Sequence, residues 1–293
     1  MLPDFVKIKS IKPVLCGFIR EAQFRLDPDE VPDETLVHDI RVLMKRSRAT
    51  IRLLKSQIGD ESFSREYSAL REVGRIMRSW RETSVHRKLL KYLKKKYPEL
   101  FSRLTDNEKI NLLLTKNLSE KTPSPEMKKD IETIIGLLHK SDYRWRFRSM
   151  NNLDPHLLLK ELEITFNSAS FSYLKARNYP TSVNIHEFRK ITKDFLYQLW
   201  YFRSLKPKVI KDLEKRLENL AQNLGKYNDH SVLIKTLDYK YPSPDNSSAA
   251  DELAVLIKGE QDRYLMKVWP AAFRIFRPGK NLVSVLGFKV TEV

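Results

Sequence analysis

The sequence predicts an all-α fold, and three observations carry that expectation. Only eight glycines punctuate 293 residues. Apolar residues recur at spacings of three and four over long stretches, the period of a helix with one buried face. One of those stretches is written twice, with His186 lying 148 residues after His38, which marks a repeated helical unit.

Taken in order, a first helix is expected over 13–25, ending before the turn DPDEVPDE. Asp33 can cap a second helix that runs to Ile58, with Ile40, Leu43, Ser47, Ile51 and Leu54 facing a core. After the IGDES turn a third helix covers 63–78, with Tyr67, Leu70, Val73, Ile76 and Met77 on its apolar side. Arg81-Glu82 is expected to interrupt it, and a helix over 83–96 follows, stopping before Pro98. Lys94, Lys95 and Lys96 read as a solvated helix end. A short helix is expected near 107–117. The two prolines of KTPSPEM stop helix and strand alike and suggest a boundary between halves, about 1–122 and about 123–276 of a single domain, with 277–293 as a C-terminal extension.

The second half opens with a helix over 126–148 that ends in RWRFR. There Arg144 and Arg148 share a face with Trp145 and Phe147 interleaved. Either the rings stack nucleic-acid bases, or they enter the core while the arginine stems lie along them. A helix over 155–177 corresponds to the first helix. NYPTSVN punctuates, with Ser182 or Asn184 as cap of the next helix. Pro207 opens another, through LGKYNDHSVL. After the loop YPSPDNSS a last helix passes from Ala249 towards Trp269, and the tail NLVSVLGFKV is either a short strand or a docked extension.

The second helix also carries a row of cations. His38, Arg41, Lys45, Arg48, Arg52 and Lys55 recur at the same helical spacing and fill a stripe roughly 100° wide and about 25 Å long. Like charges three or four residues apart cost roughly 0.2–0.5 kcal/mol each, and no carboxylate lies within the row to offset them. An anionic ligand is the expected compensation. In the repeat, His186, Arg189, Lys193 and Arg203 take the places of His38, Arg41, Lys45 and Lys55, while Leu196 and Trp200 replace Arg48 and Arg52. The apolar stripe repeats as Phe188, Ile191, Phe195, Leu199 and Phe202. A second element, Arg81-Glu82 before Val85 and Asn228-Asp229 before Val232, follows each histidine by some 40 residues. Its carboxylate is placed to cap a following helix or to orient a cation of the row.

Composition narrows the partner. A formal net charge of +17 and a pI near 9.7, spread over periodic sequence, point to an anionic polymer or surface. The single cysteine, Cys16, excludes an intrachain disulfide and a cysteine-cluster metal site, and reads as a buried helix residue. Neither a signal peptide nor a run of about 18 apolar residues is visible, so a cytoplasmic location is the default expectation.

HDIRVLMKRSR, IHEFRKITKDFLY and LGKYNDHSVL resemble the CHAD family, the conserved-histidine α-helical domain, over about 5–275. The resemblance implies two four-helix bundles related by a pseudo-twofold axis, with a basic channel between them that binds inorganic polyphosphate. Carried over by position, it implies binding by His38, Arg41, Lys45, Arg48, Arg52, His186, Arg189 and Lys193. Lys55 and Arg203 join them through the repeat. This sequence departs from the family at Leu196, where an arginine is usual, and at Asp194, where a basic residue is common. Many relatives carry a fused triphosphate-tunnel domain, which is not expected within these residues.

The residues agree with that implication. Polyphosphate has no bases to read, so spaced cations suit it, with arginine forks on phosphate oxygens and lysines as point charges. Three other function classes fit less well. A metal-dependent phosphohydrolase would use His38-Asp39 and His186-Glu187, but adjacent helical residues point about 100° apart and a catalytic metal needs three ligands. His86, His139, His156 and His230 are scattered and read as surface or core residues. A nucleic-acid binder lacks any helix-turn-helix, RNP or zinc-finger pattern. A scaffold for an acidic protein explains two matched rows less well. No catalytic residue, metal or cofactor is expected.

Overall fold

The computed structural model describes residues 7–105, 107–115, 122–237 and 249–287, apart from the side chains of residues 8, 81–83 and 109. Among these residues every regular element is helical: thirteen α-helices and one 3₁₀ turn, with no strand. The expected all-α class is what the chain adopts.

α1 (Ile8–Phe24) begins earlier than its periodicity suggested and contains Pro13. Asp33 caps α2 (Glu34–Leu53) by accepting from the Leu36 N–H at 2.6 Å. The helix bends at Leu54 into α3 (Lys55–Ile58), and Gly59, at φ +79°, makes the turn into α4 (Asp60–Ile76). The break expected at Arg81-Glu82 falls instead at Met77, and α5 (Arg78–Lys96) runs unbroken through both. α6 (Pro98–Ser102) and α7 (Glu108–Thr115) are short.

α8 (Pro125–Phe147) starts inside the proline motif, with Ser124 as cap and Pro125 in the first turn. α9 (Pro155–Asn178) is capped by Asp154. α10 (Ser182–Leu199) is capped by Thr181, one residue before the expected Ser182: its extended backbone lets the hydroxyl accept from the Asn184 N–H. A 3₁₀ turn at Trp200–Phe202 leads to α11 (Pro207–Leu237). α12 (Ala249–Phe276) passes Trp269 and continues through Pro270, because Ala272, Ile275 and Phe276 are buried beyond it. The tail forms α13 (Leu282–Leu286), which docks Leu282 and Leu286 into the core. The loop YPSPDNSS and the side chains of Arg81 and Glu82 lie outside the described residues.

Packing follows the predicted stripes. Ile40, Leu43, Ser47, Ile51 and Leu54 of the first stripe are buried, as are Phe188, Phe195, Leu199 and Phe202 of the second; Ile191 is half-buried. α1 packs on α2 and α8, and α4 packs on the same two helices. α9 packs on α10 and α12, and α11 packs on those two. α2 and α10 also pack directly on each other, so one hydrophobic core runs through both sets. A smaller core joins α5, α6 and α7 to the facing ends of α11 and α12, through Leu93, Phe101, Leu233 and Ile257 among others. Trp145 is in the main core at 1 % exposure and Arg144 pairs with Glu66, so RWRFR is packed structure rather than a row of open rings; Phe147 remains exposed. Cys16 is buried.

Phe188 sits at the centre of the second set, with ring centroids 5.8 Å from Tyr173 and 5.7 Å from Phe276. Truncating such a ring costs about 3–5 kcal/mol, and an unpaired carboxylate there costs more. Phe188→Asp is therefore predicted to abolish the cooperative thermal transition, read by circular dichroism; a midpoint within a few degrees of the parent would refute this.

Candidate anion-binding site

α2 and α10 begin at equivalent positions of the repeat, and His38 and His186 are each the fifth residue of their helix. The caps Asp33 and Thr181 already take one free amide at each N-terminus. The remaining helix-end dipole still favours negative charge near the histidines.

The two histidines open into neighbouring clefts. One, of about 380 Å³, is lined by Arg41 of α2, Arg78, Val85 and His86 of α5, His186 and Glu187 of α10, and Asn228, Asp229 and Lys235 of α11. The other, of about 620 Å³, is lined by Glu34, Thr35 and His38 of α2, Lys88 and Tyr92 of α5, Lys226, Asp229 and His230 of α11, and Tyr264 of α12. Val85 and Asp229 border both. Each cleft thus takes its cations from both ends of the sequence.

Both arginines lie against neighbouring helices. Arg41 donates through one terminal nitrogen to the Gly74 carbonyl at 2.6 Å. Arg189, its counterpart, lies flat on α11 at Gly225, where an added Cβ would come within 3.3 Å of its Nε. A side chain at this position would require the guanidinium to shift by a few tenths of an ångström.

His186 is positioned by Asn228. The Nδ1 of the ring and the Oδ1 of the amide are 2.7 Å apart, which fits an N–H on Nδ1 donating to the amide oxygen. This corrects the capping role considered for Asn228-Asp229. The pair sits within α11, where no helix begins, and the asparagine acts on the histidine instead. Burial pulls the His186 ring below the ordinary histidine value; the Asn228 bond opposes this, and Arg189 and Lys190 add to the fall. His230, nearly fully buried, donates from Nδ1 to the Lys226 carbonyl at 2.7 Å, and burial lowers its value too.

The far end of the first row is engaged. Arg52 pairs with Asp194 of α10, and its other terminal nitrogen donates to the Tyr67 hydroxyl at 2.6 Å. Arg48 lies over the same Tyr67 ring at 5.9 Å. Burial lowers the proton affinity of Arg48, while on Arg52 the attraction of Asp194 and the Tyr67 bond outweigh it. Burial raises the Asp194 carboxyl, against the downward pull of Arg52 and Arg48.

Three predicted residues lie elsewhere. Lys55 belongs to α3, after the bend, with its ammonium 5.4 Å from the Phe63 ring. Lys193 donates to the Tyr197 hydroxyl at 3.1 Å. Arg203 grips Glu214 with several contacts of 2.8–3.0 Å and lines a separate cavity of about 440 Å³ with Phe18, Arg46, Tyr197 and Trp200. Lys45 is half-buried on α2. Arg78, Lys88, Lys226, Lys235 and Asn228 were not singled out as ligands, because none belongs to the doubled row. The nearest signal was the repeated Asn228-Asp229 element. Among the described residues no group of three or more His, Cys, Asp or Glu is placed to hold a metal ion, and no helix is long and apolar enough to cross a membrane.

The family profile of the CHAD domain matches residues 20–238, more than half of the chain. No curated protein matches it.

His186 and His230 titrate below the unfolded value of about 6.5, so the unfolded chain takes up protons first as pH falls. Stability is therefore expected to be full above that value and to decline below it, by up to about 1.4 kcal/mol per histidine per pH unit. Urea unfolding at pH 7.5 and 5.5 checks this: His230→Gln should lose less stability over the interval than the parent, and equal losses would remove His230 from the linkage.

Proposed function

The chain belongs to the CHAD domain family, one generally associated with polyphosphate, and from that premise we propose that it is a binding module for inorganic polyphosphate. The two sets of helices, α1–α2–α4–α8 and α9–α12, are read as two bundles related by the internal repeat, with a basic channel between them. Because α8 packs on α1 and α4, we put the division after α8 rather than at the KTPSPEM motif expected from the sequence. The observation that carries the reading is the meeting of Arg41 from one half with His186 from the other, in a cleft bordered by Arg78 and Lys235.

In this reading Arg41 and Arg189 are the principal ligands. Each guanidinium is pre-positioned against a neighbouring helix, so little side-chain entropy is lost when a phosphate is bound. His186, oriented by Asn228, presents its other ring nitrogen. His38, Lys88 and Lys226 extend the path along the adjoining cleft. Lys45, Arg48, Arg52, Lys55, Lys193 and Arg203 remain proposed ligands of a longer path. They bind in series only if the polymer reaches past the two clefts. Binding alone is proposed, with no catalytic step.

Arg41→Ala and Arg189→Ala are predicted to weaken binding of long-chain polyphosphate by about 10-fold or more, as expected for a charge-assisted contact of 1.5–3 kcal/mol. Lys94→Ala, on an exposed surface of α5, should change it less than twofold. Gly225→Ala should displace the Arg189 guanidinium and weaken binding while leaving the thermal midpoint close to the parent's. The affinity should fall with salt at a slope of several ions, and a slope of one or two would mean the cations do not act together. Duplex DNA displacing polyphosphate at equal phosphate concentration would overturn the assignment of ligand.

Burial, with Arg189 and Lys190 adding to it, lowers the proton affinity of His186 in the empty site, and a bound phosphate chain favours its charged form. Affinity is therefore predicted to rise as pH falls from 8 to 6. A flat profile in the parent would take histidine protonation out of binding.

A further inference from the structure

The row on α2 does not present all its cations to the outside. Its last pair, Arg48 and Arg52, faces a carboxylate from the other half of the chain. Asp194 is only 15 % exposed, and it lies against Arg52, whose side chain is 31 % exposed. Both terminal nitrogens of Arg52 are engaged, one on Asp194 and the other on the Tyr67 hydroxyl. Its plane also rests on the Tyr67 ring at 5.0 Å. Arg48 shares that ring and feels the same carboxylate. The repeat underlines the choice of residue. The position equivalent to Asp194 in the first half is Arg46, 148 residues earlier, an exposed cation stacked near Phe18 and Tyr197. Equivalent places in the two halves thus carry opposite charges, and the acidic one sits where two arginines would otherwise face each other's field.

A carboxylate and a phosphate present similar oxygens to a guanidinium, and one arginine fork cannot take both in full. We propose that Asp194 is a resident counter-ion that competes with bound phosphate for Arg52 and Arg48, so that the polyanion engages the Arg41 and His186 end of the row and reaches the far end only by displacing a built-in acid. The inference rests on the polyanion-binding reading above, and it names the residue that sets how many of the cations a ligand can use. Because Asp194 also bridges α10 to α2, displacing it would loosen one tie across the seam. That opposes occupation of the far end a second time.

The test is a double-mutant cycle on the full chain, with Kd for long-chain polyphosphate measured at two salt concentrations for the parent, Asp194→Asn, Arg52→Gln and the double variant. Asparagine keeps the size of the side chain and an oxygen for Arg52 while removing the charge. Asp194→Asn is expected to bind about 3–10-fold tighter, with a salt slope steeper by about one ion. Arg52→Gln in the parent should weaken binding by clearly less than Arg41→Ala does, whereas in the Asp194→Asn background it should remove most of the gain. Unchanged or weaker binding by a folded Asp194→Asn, judged by its thermal midpoint, overturns the proposal. So does a loss from Arg52→Gln as large as that from Arg41→Ala, and this second criterion decides the matter if Asp194→Asn fails to fold. The same cycle run with duplex DNA separates the two ideas. The counter-ion concerns the cations and predicts the gain with either polymer. The polyphosphate reading concerns which polymer the parent prefers, and either can fail while the other stands.

Discussion

The direct packing of α2 on α10 brings the two cationic rows to one seam. Each helix carries a cationic row, and two such helices side by side repel unless the seam between them is neutral or compensated. The seam meets that condition with uncharged groups. The Gln198 amide donates to the Ala49 carbonyl at 3.0 Å, and the Thr50 and Tyr201 hydroxyls are 2.9 Å apart, both bonds being buried. Burial pushes the Tyr201 phenol up to about 12, which keeps it neutral at any physiological pH. The Arg52–Asp194 pair adds a charged tie along this seam. Net contributions of about 1 kcal/mol per bond are modest, but leaving any of these groups unpaired in the seam would cost about 1–3 kcal/mol. The seam therefore fixes the register of the two helices. With that register fixed, their N-terminal ends face α5 and α11, and the clefts of His38 and His186 become neighbours.

Much of the fold was legible because periodicity reports burial directly. The stripes beginning at Ile40 and Phe188 are buried nearly residue for residue, and the starts of α2 and α10 follow from capping chemistry and the repeat. The break at Met77 was not legible. No glycine or proline marks it, and in the second half the corresponding stretch runs straight through α11. What decides it is tertiary, namely how α4 packs on α2 and α8 while α5 turns to meet α11. The site was half legible for a similar reason. Spacing identifies a cationic face but not what lies opposite it. Arg52 and Asp194 are 142 residues apart, and Asn228 reaches His186 across 42. No local pattern encodes either pairing. Arg203 was selected as the counterpart of Lys55, yet Glu214, eleven residues on, claims it in the fold.

The departure of the second row from the first has a physical rationale in the same seam. Arg48 and Arg52 are matched by Leu196 and Trp200, and these line the cavity that also holds Arg46, Tyr197 and Tyr201. Had the second half kept two arginines there, they would have faced Arg46 across a narrow cavity. Arg203, already bound to Glu214, would have stood beside them. Like charges so placed are destabilising unless a carboxylate intervenes. On the opposite flank that carboxylate is Asp194. On this flank Glu214 and Glu218 line the cavity, Leu196 and Trp200 stand at the positions that match Arg48 and Arg52, and Arg46 lies over the Phe18 and Tyr197 rings at 5.7–5.8 Å as a cation on an aromatic face. Two packed helices cannot place the same charge on both sides of a shared seam without compensation. Carboxylates thus stand on both flanks, Asp194 beside Arg52 on one and Glu214 beside Arg203 on the other, while Arg41 and His186 meet in a cleft whose other cations are Arg78 and Lys235.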